Sequence, residues 1–157
     1  MITRAQLEAW GPTWQLNSPA TPAQVEAAQE AVGLRFPQEY VEFLLAADGM
    51  TFLRESLPAL GLEEYRLLSC DEVVRHNHDF DVSHRAPGRL IIGRMGGEGP
   101  IFLHLEQGTE EWAPVYQQQD EDFGDHVRLY GQKGPSLTAW LKAGCPLPEP
   151  GEAGEGE

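Results

Sequence analysis

Gly33-Leu34-Arg35-Phe36-Pro37-Gln38-Glu39-Tyr40-Val41-Glu42-Phe43-Leu44-Leu45-Ala46-Ala47-Asp48-Gly49 is the stretch on which the fold turns. Gly33 closes one helix, and Pro37, with its preset φ, opens the next. Tyr40, Phe43, Leu44 and Ala47 then fall at 0, 3, 4 and 7, a single apolar stripe along an α-helix that Asp48-Gly49 stops. Large apolar groups at that spacing are core residues, so the stripe reports packing and locates no site.

Upstream of it, two helix starts are written in the chain. Thr3 with Gln6 makes a capping box with Ile2 and Leu7 as its hydrophobic staple, and Gly11-Pro12 ends a short helix near Trp10. Thr21-Pro22-Ala23-Gln24 repeats the box, with Pro at the first helical position and Val25, Ala28 and Val32 on one face. Downstream the period changes from helical to extended. Thr51 to Arg54 and Tyr65 to Leu68 are strand candidates, separated by a loop with Leu57-Pro58. Ser69 and Glu72 form a third capping box that predicts a helix from Asp71 to about Asn77. Arg89 to Arg94 and Ile101 to Leu105 read as central strands joined through the Gly96-Gly97-Glu98-Gly99-Pro100 turn. Trp112 to Gln118 contains Pro114 and so belongs at an edge. His126 to Tyr130 is a further strand candidate, and Leu137, Trp140 and Leu141 mark a closing helix opened by Ser136 and ended by Gly144.

Helices first, then hairpin-connected strands, then a helix is an α+β order. The expectation is a single antiparallel sheet of about five to six strands, with N-terminal helices and a C-terminal helix packed against it. A doubly wound sheet needs helices between all its strands, and only one is present. Residues 1–144 are read as one domain and 145–157 as a disordered acidic tail.

The chain has 157 residues with 25 Asp+Glu against 11 Lys+Arg, a net charge of −14. The tail holds four glutamates and no base, so −10 remains on the body. Such a charge disfavours nucleic acid as a partner and favours a basic one. The longest clean apolar run, Phe43 to Ala47, falls far short of a membrane span, and the first residues lack a secretory pattern; the expected compartment is the cytoplasm. Cys70 and Cys145 are read as ordinary reduced thiols.

The opening stretch resembles the signature of the SUKH superfamily, whose founding members are fungal cell-wall-synthesis regulators. The positions that carry it are Gly33, Pro37, Tyr40, Phe43, Leu44, Asp48 and Gly49. Phe36 stands where Leu is usual and Asp48 where Asn is usual; Asp before Gly is expected to cap the helix end much as Asn does. Leu67-Leu68-Ser69, Ile91-Ile92-Gly93, Ile101-Phe102-Leu103 and Ser136 to Leu141 follow in the family's order, so the resemblance covers roughly residues 21 to 143. It implies an α+β binding module without catalytic residues or cofactor. Bacterial members are regarded as immunity proteins that neutralise toxin domains, often nucleases. An intracellular regulatory or scaffolding domain is the alternative.

His76-Asn77-His78-Asp79-Phe80-Asp81-Val82-Ser83-His84 holds zinc-type ligands, and a metal-dependent enzyme built on it is a distant third reading. Helical metal pairs want an i, i+4 spacing, whereas His76 and His78 are two apart, so a solvated loop is preferred and no metal site is assigned. Gly93 to Gly99 lacks the Gly-Lys-Ser/Thr of a phosphate loop. Ser69 and Ser136 are helix caps. The remaining candidate is the acidic surface: Glu63, Glu64, Asp79, Asp81, Glu106, Glu110, Glu111, Asp120, Glu121 and Asp122, with Trp112 as an aromatic anchor for a basic protein partner.

Overall fold

Capping boxes start three of the helices in the computed structural model, which describes residues 1–55, 62–79, 81–82, 88–95, 100–117 and 136–145. Thr3 and Gln6 exchange side-chain-to-backbone bonds at the head of α1 (Arg4–Trp10), and Thr21 and Gln24 do the same for α2 (Pro22–Val32). At α4 (Cys70–Asp79) the Ser69 hydroxyl accepts from the Glu72 N–H while the Glu72 carboxylate accepts from the Ser69 N–H. Between them lies α3 (Gln38–Ala46), with Tyr40, Phe43 and Leu44 buried as the stripe predicts. The last described helix is α5 (Leu137–Lys142), capped by the Ser136 hydroxyl.

Among the described residues, six antiparallel strands form one sheet in chain order: β1 (Gln15–Leu16), β2 (Met50–Glu55), β3 (Leu62–Leu67), β4 (Arg89–Met95), β5 (Pro100–His104) and β6 (Val115–Gln117). This is the expected α+β architecture. Among the described residues β6 is an edge strand, the position Pro114 favours, and α4 and the 3₁₀ turn Leu105–Gln107 lie between strands of the meander. β1 went unread because two residues carry no alternation; it exists through its pairing of Gln15 with Thr51 and Leu16 with Met50. The strand candidate at His126 to Tyr130, the Gly96–Gly99 turn, the Leu57-Pro58 loop and residues 146–157 lie outside the described residues. Cys145, read as the first residue of the tail, is instead buried, and its N–H donates to the Trp140 carbonyl at 2.9 Å.

The register assigns the two faces. Met50, Phe52, Tyr65, Leu67, Ile101, Leu103 and Val115 share one face, all nearly inaccessible and continuous with the helices' apolar residues in a single core. β4 joins this face with Leu90 before a register shift and with Gly93 after it. The shift at Ile92 is a β-bulge, and it allows Leu90, Ile91 and Ile92 all to be fully buried. The opposite face carries Thr51, Leu53, Glu64, Arg66 and Arg94 at one end and Ile91, Phe102, His104, Tyr116 and Arg89 at the other.

Two polar side chains do work the sequence pattern assigns elsewhere. Asp48 does not cap α3, whose C-cap is Ala47; its carboxylate instead accepts from the Cys70 N–H at 2.8 Å, at the head of α4. An acid is favoured there by the helix dipole. Gly49 follows with φ +90°, and a Cβ on it would lie 2.6 Å from the Leu67 carbonyl oxygen, so the Asp-Gly pair threads two elements together. Asn77, expected near the end of this helix and within a solvated run, lies inside α4 and is buried rather than solvated. Its carboxamide accepts from the Ile91 N–H at 2.9 Å and donates to the Ile91 carbonyl at 3.0 Å and the Val73 carbonyl at 2.8 Å. β3 has by then left β4 to become α4, the last bond being Leu68 N–H to the Ile92 carbonyl. Asn77 therefore replaces the missing strand at Ile91.

Truncating that amide strands two buried backbone groups. Asn77→Ala is expected to cost about 2–4 kcal/mol, read as a lower urea midpoint with an unchanged slope.

Candidate protein-binding site

The segment from Gly108 to Ala113 is irregular yet held from several sides. The Thr109 hydroxyl accepts from the N–H groups of Glu111 and Trp112 at 3.1 and 3.3 Å, and the Thr109 N–H returns a bond to the Trp112 carbonyl at 2.7 Å. α3 begins at Pro37 with no side-chain cap. Its exposed amides are taken up by this loop instead: Gln38 donates to the Glu110 carbonyl at 2.8 Å and Glu39 to the Glu111 carbonyl at 3.0 Å.

Beneath the loop lies Glu39, a carboxylate only 7% exposed. One oxygen accepts from the N–H groups of Ala113 and Leu137, both at 3.1 Å; the other accepts from the Thr138 N–H at 3.0 Å and hydroxyl at 2.7 Å. Four donors from two distant segments satisfy one buried charge, and two of them are leading amides of α5. On this base the Glu110 and Glu111 side chains stand exposed, and Trp112 is 40% exposed.

The other candidate residues divide between the ends of the sheet. Asp79 is exposed at the end of α4 and shares a surface hollow with Gly88 and Arg89, where β4 begins; Asp81 is exposed two residues further on. Glu106 sits in the 3₁₀ turn Leu105–Gln107 after β5, against Gly88, so it shares that end with the Glu110–Trp112 loop. Glu64 is exposed on β3 next to Tyr65, which pairs with Met95 at the far end of β4. A seven-residue strand puts it about 20 Å away. Glu63 pairs with Arg54 in the register; Asp120, Glu121 and Asp122 lie outside the described residues.

Two polar side chains at the acidic end escaped the sequence reading. Arg89 and His104 oppose each other across β4 and β5, and Arg89 Nε and His104 Nδ1 are buried without a hydrogen-bond partner. Burial, reinforced by the Arg89 charge, holds the His104 imidazole below its ordinary pKa. His76 donates its Nδ1–H to the Glu72 carbonyl, 2.9 Å away, while His78 is exposed; His84 lies outside the described residues. Among the described residues no three His, Cys, Asp or Glu are grouped to hold a metal ion. Cys70 is buried, its thiol pushed up to about 12 by burial and then by the Asp48 carboxylate.

An antiparallel sheet with helices on its core face, and a rigid acidic loop presenting an aromatic ring, is the architecture of a small α+β scaffold. The chain belongs to the SMI1 / KNR4 family (SUKH-1), whose model matches residues 19–143. That family is generally non-enzymatic and is associated in general with protein–protein interaction. A search of the curated proteins finds no match to the chain. Among the described residues no helix is long and apolar enough to cross a membrane.

Glu39→Gln sets an NH₂ group against surrounding N–H and O–H donors, and is expected to lower stability by roughly 2–3 kcal/mol in urea unfolding at neutral pH. His104 adds a pH dependence. Its folded-state pKa lies below its unfolded one, so the unfolded chain binds more protons between the two values. The stability tied to its neutral form is present above the ordinary imidazole pKa of about 6.5 and is lost as pH falls from there toward the folded value. Thermal melts across that range should show a smaller acid-side loss for His104→Gln than for the parent chain.

Proposed function

We propose that this chain is a non-catalytic immunity protein that, in the cytoplasm, binds and neutralises a basic toxin domain, such as a nuclease, through the acidic end of its sheet. The observation that carries this reading is the Glu110-Glu111-Trp112 loop. Its backbone is tied to α3 and, through Ala113 and Glu39, to α5, so the main chain that carries the exposed ring and two carboxylates is already held before a partner arrives. Preorganisation lowers the entropic cost of association, and an aromatic anchor with acidic neighbours suits a surface rich in Lys and Arg. Asp79, Asp81 and Glu106 extend the same sign of charge around that end, while Glu64 on the far end contributes by long-range steering. The family's general role in protein–protein interaction supports the same reading.

The test is retention of a basic protein by the immobilised full-length chain at low salt, compared with the variant Glu110→Lys/Glu111→Lys and with Trp112→Ala. Binding should weaken by about tenfold or more in each variant and fall with rising salt. Retention that neither the charge reversal nor about 0.5 M salt diminishes would sink the acidic-face reading. An immunity role additionally requires that the captured protein lose its toxic activity in the complex; a captured endogenous protein without such activity marks a regulatory domain instead.

A further inference from the structure

Four large apolar side chains stand exposed among the described residues: Met1, Leu45, Leu53 and Trp112. Leu53 lies on the open face of β2, while the other three flank α3. Trp112 is at the head of that helix, in the loop whose Glu110 and Glu111 carbonyls accept from the Gln38 and Glu39 N–H groups. From there a line of polar contacts follows the helix. The Gln38 carboxamide donates to one oxygen of Glu42 at 3.3 Å, and the other oxygen accepts from the Ile2 N–H at 3.0 Å, which brings Met1 alongside. Leu45 comes seven residues after Gln38, two turns and about 10 Å further along the same side, with half-buried Val41 between them.

A loop of three residues cannot by itself supply the roughly 800 Å² that a stable interface buries on each partner. The surface adjoining it must contribute, and the outer side of α3 is the neighbour to which its backbone is bonded. Single exposed apolar residues are ordinary, but three along one helix and continuous with the loop form a strip. That strip is straight and narrow, the shape onto which a second helix, laid alongside at about 8–10 Å, fits a ridge of side chains. Its charges are acidic at the loop end and at Glu42. Arg4, at the other end, already donates to the Ala46 and Asn17 carbonyls and faces Glu8.

We propose that the outer face of α3, from Trp112 past Val41 to Leu45 and Met1, docks an amphipathic helix of the partner, its apolar ridge on Val41, Leu45 and Met1 and its Lys or Arg side chains toward Glu42, Glu110 and Glu111. This names the partner element for the Trp112 loop and rests on the reading of that loop as a protein-binding site.

The probe is a short synthetic amphipathic helix of Leu and Lys, with the same residues in scrambled order as control, titrated into the full chain and followed by backbone amide and Trp indole resonances. The helical peptide should saturate below about 1 mM and shift the amides of Gln38, Val41, Glu42 and Leu45 together with the Trp112 indole. Leu45→Gln, a charge-neutral change at an exposed helix position that Gln suits, should weaken binding about fivefold or more, and Leu53→Gln should leave it unchanged. The proposal is overturned if the peptide does not bind, if the scrambled peptide binds as tightly, if the shifts gather along β2 or between α2 and α4, or if Leu45→Gln binds like the parent chain. In that last case, weaker binding by Trp112→Ala leaves the loop as a binding site without α3. Binding that Leu45→Gln weakens, but Trp112→Ala and Glu110→Lys/Glu111→Lys do not, supports docking on α3 and removes the loop from the interface.

Discussion

One buried carboxylate sets the geometry of this domain. Glu39 occupies the first turn of α3 and takes all its donors from residues 74 to 99 positions away in the chain. A charge so thoroughly excluded from water persists only while its partners hold station, and the arrangement works in both directions. The donors stabilise the anion, while the anion fixes the approach of α5, the path of the chain into β6 and the loop bearing Trp112. The apolar core supplies most of the driving force for folding, but apolar contacts are nearly indifferent to direction. Glu39, Asn77 and Asp48 supply the direction.

Each of these three polar groups stands where a regular element ends. Asn77 fills the place of β3 once that strand has turned into a helix; Asp48 satisfies the first amide of that helix; Glu39 receives the leading amides of the last helix. Regular structure pairs its own backbone groups except at such departures, so a domain that alternates helices and strands must cover them with side chains.

This division explains what was readable from the chain alone. The three capping boxes, the stripe of α3, the edge position of the Pro114 strand and the closing helix all depend on residues within four or five positions of one another, and they were legible as written. β1 was not, because two residues have no period and are strand only by virtue of Thr51 and Met50. Asp48 was assigned to the wrong helix end, since its partner lies 22 residues on. Glu39 looks like any acid in a first helical turn, and Asn77 sat inside a His- and Asp-rich run that suggested solvent; nothing local distinguishes a buried carboxamide from an exposed one. The acidic candidates were found as residue types, but their partition between the two ends of β4 comes from the register.

The order of the strands has a bearing on synthesis. Because every described strand pairs with its neighbour in sequence, that sheet can be laid down progressively as the chain emerges from the ribosome, each strand adding to the one before. The carboxylate of Glu39 emerges early, yet half of its donors belong to Thr138 and another to Leu137. Until those residues appear, the head of α3 must stay hydrated and the Trp112 loop lacks part of its footing. A nascent chain can therefore hold most of its strands while its aromatic loop is still unset, and the surface that would meet a partner matures last.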